Sequence, residues 1–272
     1  MMKPLSVIAA VLFGAAALAV DATGAEPVPQ STISNVYWLA QYTARPGRAA
    51  ALADWFREND ADLLAKHGGE AIAYLAPADP GPDNEGRLLA ITKYRTSDAL
   101  VKSRRSMTAD PRWKRLVGSP NDENAIVATV DVRLGRPTDY APPFAATQAS
   151  PPRVFELRTY LSPSPERLEL LHERFRDHTM KLFARHGIEN LVYWEPLLGH
   201  PAQEDVLRRQ LFYLLGHKSR EAAAASFAAF RQDPDWLAVK KASEDKAGGS
   251  LTSPEKGVVS EFFVATEFSP LR

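Results

Sequence analysis

The chain has 272 residues, with 33 Lys and Arg balanced by 33 Asp and Glu. Zero net charge argues against a general nucleic-acid binder, which would be basic. Hydrophobic residues at 45% and charged residues at 24% describe a globular chain rather than a disordered one. The absence of cysteine excludes disulfides, thiolate metal sites and cysteine nucleophiles.

The N-terminus reads as an export signal. Lys3 precedes an apolar, alanine-rich run from Leu5 to Val20, and small residues follow up to Ala25. This is the order of a secretory signal peptide, and the run is too short and weak for a spanning helix. Residues 1–25 are assigned to the signal, with cleavage after Ala25 as first choice and after Ala22 as second. The mature chain is expected in the periplasm or secreted, with no membrane segment of its own.

Beyond the signal the chain repeats itself. Val36–Tyr42 aligns with Val154–Tyr160, and Phe56-Arg57-Glu58 with Phe175-Arg176-Asp177. Leu63, Ala65, Lys66, His67 and Gly68 match Leu182, Ala184, Arg185, His186 and Gly187. Asp110-Pro111-Arg112-Trp113 matches Asp233-Pro234-Asp235-Trp236, and Thr138–Pro142 matches Thr266–Pro270. The repeats are placed at 33–141 and 153–272, joined by an uncharged, proline-rich linker at 142–152.

Each repeat reads β-α-β-β-α-β. Val154–Tyr160 alternates with a strand period. Ser164-Pro165-Glu166 supplies a cap, a proline at the first helical position and an acid in the first turn. Leu168, Leu171, Phe175 and Leu182 follow at helical spacing, and Gly187 stops the helix where a left-handed residue is needed. Leu191–Glu195 and Leu211–His217 read as strands. Ser219 caps a helix through Phe230, Asp233-Pro234 starts a short one, and Val258–Val264 is the last strand. This is a ferredoxin-like unit, whose helices cover one face of an antiparallel sheet. The second face needs cover, so two units are expected to pack sheet to sheet. The fold class is α+β: two tandem ferredoxin-like repeats forming an intramolecular dimeric α/β barrel.

Val154–Tyr160, Phe175-Arg176-Asp177-His178-Thr179, Leu182-Phe183, His186-Gly187, Ser219–Ala223 and Phe230–Trp236 together resemble the NIPSNAP family. The resemblance is close over 154–270 and weaker over 36–142. It implies the dimeric α/β-barrel fold and little chemistry, since members mostly lack a settled activity. The wider fold hosts cofactor-independent monooxygenases, isomerases and haem-binding enzymes, a link of fold alone.

No common catalytic signature is present in the sequence. Two polar sets stand where apolar residues belong. His178 falls on the stripe Leu168, Leu171, Phe175, Leu182, and Asn59 holds the matching place beside Leu52, Phe56 and Leu63. These positions predict a helix–sheet pocket with His178 as acid/base, set against a core histidine bonded to backbone. On the last-named repeat's first strand, Glu156, Arg158 and Tyr160 are expected to face the barrel lumen, opposite Phe155 and Leu157 under the helices. Their first-repeat counterparts are Trp38, Ala40 and Tyr42. Arg158 would hold an anionic group and Tyr160 would assist catalysis, or Glu156 and Arg158 would be a structural ion pair. His217 could face the pocket mouth.

His172 and His178 lie on different helix faces, so no metal is expected, and no cofactor. His67 and His186 read as helix-end cations, Trp113 and Trp236 as packing anchors. Lys102, Arg104, Arg105, Arg112, Lys114 and Arg115 read as a solvated basic face. The sequence therefore points to an exported protein binding a small, partly apolar molecule. A cofactor-independent monooxygenase or isomerase and a protein-interaction module are the alternatives, and homo-oligomerisation stays open. N-terminal sequencing of exported material should begin after Ala25 or Ala22; a start at Met1 would refute the signal reading.

Overall fold

The computed structural model describes residues 33–118, 122–197 and 204–272. The segment read as an export signal lies outside them. In the first repeat the elements are β1 (Ser34–Ala44), α1 (Ala49–Trp55), α2 (Ala61–His67), β2 (Glu70–Pro77), β3 (Arg87–Thr96), α3 (Ser97–Ala109), α4 (Pro111–Val117) and β4 (Val127–Pro137). The second holds β5 (Val154–Leu161), α5 (Pro165–Arg174), α6 (Met180–Arg185), β6 (Glu189–Pro196), α7 (Glu204–Leu207), β7 (Gln210–His217), α8 (Arg220–Gln232), α9 (Pro234–Ala247) and β8 (Val258–Ala265). Helix α9, expected to be short, runs 14 residues.

The helix starts follow from local chemistry. Ser164, Ser219 and Thr96 each accept a hydrogen bond from the backbone N–H three residues on. Asp110 and Asp233 do the same two residues on, each followed by a proline that gives up no needed donor. Gly68 and Gly187 end the first long helix of each repeat at φ +82° and +74°, the left-handed region that favours glycine.

All eight strands form one closed antiparallel barrel in the order β1-β3-β2-β8-β5-β7-β6-β4. Within each repeat the order is that of a ferredoxin-like sheet, with register shifts at Ala71/Ala73 in β2 and Asn190/Val192 in β6. The repeats join at two short seams. One pairs Leu75, Ala76 and Pro77 with Ala265, Val264 and Phe263. The other pairs Gly135, Arg136 and Pro137 with Pro196, Glu195 and Trp194.

Three cores result. The lumen is packed by Tyr37, Leu39, Leu89, Ile91, Phe155, Leu157, Trp194, Phe212, Leu214 and Phe263. Outside it, each repeat has a helix–sheet core: Val36, Trp38, Tyr42, Leu52, Phe56 and Leu63 in the first, Leu171, Phe175, Phe183, Tyr193, Tyr213 and Phe227 in the second. The linker adds to the lumen, since buried Phe144 packs edge-on to Trp194 at 5.8 Å between ring centres.

This arrangement reverses one expectation. Phe155 and Leu157 fill the lumen, while Glu156, Arg158 and Tyr160 face the helices. Both faces of the sheet are covered, so strand alternation separates the faces without saying which lies under helices. The lumen is the more apolar because it is sealed by two sheets.

Each long first helix also contains a π turn, Phe56–Asp60 between α1 and α2 and Phe175–Thr179 between α5 and α6. A π turn closes hydrogen bonds five residues apart, so each residue advances less rotation. The residue four after the phenylalanine, not three, returns to the inner face. Asp60 and Thr179 are therefore buried, at 3% and 2% exposure. His178 is exposed and Asn59 is half-buried, its Nδ2 donating to the Trp55 carbonyl at 3.1 Å. The reading that pointed His178 at the sheet is corrected by this inserted turn.

The seams impose one tight contact. A Cβ on Gly135 would lie 2.6 Å from Phe212 Cζ and 2.9 Å from Trp194 Cβ. Gly135→Val should overpack the seam and cost about 1–3 kcal/mol, read as a lowered denaturation midpoint; unchanged stability would show that the seam is loose.

Candidate functional site

The second repeat holds a cavity of about 200 Å³ between β5 and the helices. Its walls are Phe175, Phe183, Phe227, Phe230 and Trp236, with Thr179 from the π turn. Polar lining comes from Arg158, Tyr160, Arg174, Arg231 and Lys240. The aromatic wall is interlocked: Phe183 meets Phe230 edge-on at 4.9 Å, and Phe230 lies 4.4 Å from Trp236. Trp236, expected only to anchor its helix, thus also lines the cavity. No Asp, Glu or His is among the lining residues.

Arg158 is wired from behind. Its Nη1 donates to Glu156 at 2.6 Å, its Nε to the Tyr213 hydroxyl at 3.1 Å and its Nη2 to the Tyr160 hydroxyl at 3.4 Å. Its guanidinium carbon stands 4.7 Å from the Phe227 ring centre. Burial works against the Arg158 charge, but Tyr213, Tyr160 and Glu156 outweigh it and raise its pKa above the ordinary value.

Glu156 is itself sealed. Its two oxygens take Arg158, the Ser260 hydroxyl at 2.5 Å and His217 Nε2 at 2.9 Å. Burial pushes this carboxyl up, yet the His217 hydrogen bond, the Arg158 charge and Ser260 more than offset that and hold it below its usual range. Glu156 and the His217 side chain are both 1% exposed. His217, expected near a pocket mouth, is a buried partner of Glu156.

Arg174 is different, and the sequence pattern missed it. It is 8% exposed and its Nε has no hydrogen-bond partner. Its Nη1 reaches only the Ser243 hydroxyl at 3.3 Å, and no carboxylate among the described residues pairs with it. Trp236 lies 5.0 Å from its guanidinium carbon. Burial lowers the Arg174 pKa by more than nearby Tyr160, Glu244 and Tyr213 raise it.

The first repeat has the same frame, with different residues at the matching places. Trp55 stands just before the π turn, where the second repeat has Arg174. It packs edge-on to Trp113 at 6.1 Å and donates Nε1 to the Arg112 carbonyl at 3.2 Å. Arg104, eight residues past its helix cap as Phe227 is past its own, is 3% exposed and stacks on Trp38 at 4.3 Å. The basic cluster read as one solvated face therefore contains a buried member. Tyr42 is buried against Phe56. Asp60 accepts from the Tyr74 hydroxyl at 2.8 Å, and burial pushes its carboxyl up to about 6. Trp38, Tyr42 and Asn59 thus belong to a separate packed core and do not meet Arg158 and Tyr160.

A second hollow of about 250 Å³ lies along the β2–β8 seam, lined by Asp79, Arg87, Arg220 and Glu261 among others. Its charges are partly matched, with Arg220 paired to Asp79 at 3.0 Å. Among the described residues no group of three or more His, Asp or Glu could hold a metal, and no helix is long and apolar enough to cross a membrane.

The NIPSNAP family model matches the chain twice, over residues 37–142 and 155–270. The chain belongs to the NIPSNAP family. Both halves of the barrel are thus NIPSNAP domains. Among solved structures, a "putative monooxygenase" from Lactobacillus acidophilus is similar at 12% identity, covering 86% of this chain and 94% of its own, with a TM-score of 0.53. A second "putative monooxygenase", from Fusobacterium nucleatum, is 11% identical over 85% and 92%, at 0.51. A NIPSNAP family protein from Agrobacterium tumefaciens is 20% identical over 40% of this chain and 97% of its own, at 0.33. The first two establish the dimeric α/β-barrel fold and nothing about chemistry. No curated protein matches the chain.

Replacing Glu156 tests the wiring. Glu156→Gln leaves Arg158 buried without its counter-charge and should cost about 3–5 kcal/mol at pH 7. The native carboxyl titrates below its ordinary 4.5, so its contribution is present above that value and lost as pH falls through the lowered one. Denaturation at pH 7 and pH 3 should show a large gap between wild type and variant that shrinks in acid.

Proposed function

We propose that this NIPSNAP protein is exported and binds a small, partly apolar molecule in the second-repeat pocket. The observation that carries the binding reading is Arg174, a buried guanidinium lining an aromatic cavity with its Nε unpartnered. Leaving such a donor buried and unsatisfied costs roughly 1–3 kcal/mol or more for a charged group, and a ligand would recover it. Export is supported by Lys3, the apolar run to Val20 and the small residues to Ala25.

Binding is favoured over catalysis by the lining itself. Acid–base work needs a group within hydrogen-bond reach of the substrate. The Tyr160 hydroxyl is at hand, whereas His178 is on the outer surface and Glu156 and His217 are occupied with each other. Arg158 keeps its proposed role as a ligand contact, Tyr160 becomes a contact in place of its catalytic role, and His178 loses its own.

The first repeat supplies the test. Arg174→Trp copies Trp55 and should fill the pocket while suiting this frame. Against a chemically mixed panel of small molecules, some compounds should raise the wild-type Tm by a few degrees, as ligands of the native state do. The variant should respond to none of these. Equal responses in both proteins would place binding elsewhere and overturn the reading.

A further inference from the structure

The pocket's chemistry narrows its ligand, given the binding reading above. At about 200 Å³ it falls below the roughly 300–1,000 Å³ of drug-sized sites, which leaves room for one ring and a short substituent. Five aromatic rings form its wall, a surface suited to a flat apolar body that stacks or meets ring edges.

The charge is one-sided. Arg158, Arg174, Arg231 and Lys240 line the cavity, and no acidic side chain does. Glu156 already neutralises Arg158. Arg231 and Lys240 are exposed, so water screens them. Arg174 is left as the buried cation with no direct ion pair, Glu244 acting on it only through space. Its Nη1 is engaged by Ser243 and its Nε is buried without a partner, so the guanidinium is short of acceptors. A planar oxyanion is the acceptor that a guanidinium holds best, through charge-assisted hydrogen bonds. The Tyr160 hydroxyl, also in the lining, can add a further one.

We propose that the second-repeat pocket takes a single-ring aromatic carboxylate, its ring among the phenylalanines and Trp236 and its carboxylate on Arg174. The ring wall and the lone buried cation each select half of this molecule, and neither half alone satisfies the cavity.

The test is calorimetric titration of the purified chain with benzoate and phenylacetate, with benzamide and benzyl alcohol as neutral counterparts, and with acetate and inorganic phosphate as ringless anions. The aromatic carboxylates should bind at least tenfold more tightly than either control set. Arg174→Gln should erase the preference for benzoate over benzamide. Arg174→Lys, which keeps the charge and loses the fork, should retain part of it. Should Arg174→Gln fail to fold, the wild-type ratios and Arg174→Lys decide the matter. Benzamide binding as tightly as benzoate would overturn the anion half and leave the pocket reading standing. Acetate or phosphate binding as tightly as benzoate would overturn the aromatic half. Binding by no probe, joined with equal panel responses in wild type and Arg174→Trp, would bring down the pocket reading and this inference together.

Discussion

The structure depends on one constraint: each four-stranded sheet has two faces that water must not reach. Helices cover one, and only another sheet of the same shape covers the other. Here the second sheet is supplied by the same chain, and two three-residue seams complete the ring. So little pairing leaves the joining to the lumen, where Tyr37, Phe155, Trp194 and Phe212 from both repeats interlock. The tight approach at Gly135 and the insertion of Phe144 from the linker follow from that need for a filled, dry centre.

With the lumen committed to packing, chemistry is left to the helix–sheet layers, and there the repeats diverge. Each keeps a cation stacked on an aromatic ring between its first strand and the helix that follows its third strand, with the partners exchanged. In the first, helix α3 carries the cation Arg104 and strand β1 the ring of Trp38. In the second, strand β5 carries the cation Arg158 and helix α8 the ring of Phe227. The exchange alters what surrounds the stack. A guanidinium rooted in the strand can be tied to a neighbouring strand residue, and Glu156 serves Arg158 in that way. Trp55 against Arg174, at matching places before the π turns, adds a further difference between the two interiors.

The fold was readable because its determinants are local and repeated. Caps at Ser164, Ser219, Asp110 and Asp233, the stop glycines, and strand alternation in Val154–Tyr160 each act within a few residues, and their recurrence disclosed the doubling. The candidate site was read less well, for two physical reasons. Helical spacing allows position 178 or 179 after Phe175, and only the backbone tells an α turn from a π turn; the π turn chose Thr179. Strand period likewise puts Glu156, Arg158 and Tyr160 on one face without naming what covers it. Arg174 sits beside that stripe at a place an arginine ordinarily spends in solvent. Its one signal was the comparison of repeats, where a buried Trp55 holds the same position.

That comparison also shows how two like halves of one barrel can come to differ. Identical subunits assembled about a two-fold axis would carry every cavity twice, and any residue that fills one fills both. Joining the halves in one chain removes that coupling. The first repeat is free to spend its interior on stability, with Trp55, Trp113 and the caged Arg104 filling the space. Each can also keep a buried guanidinium short of partners, Arg104 in the first and Arg174 in the second, a costly feature, because the shared lumen holds both repeats together. The cost of leaving Arg174 short of partners is thus carried by the barrel as a whole.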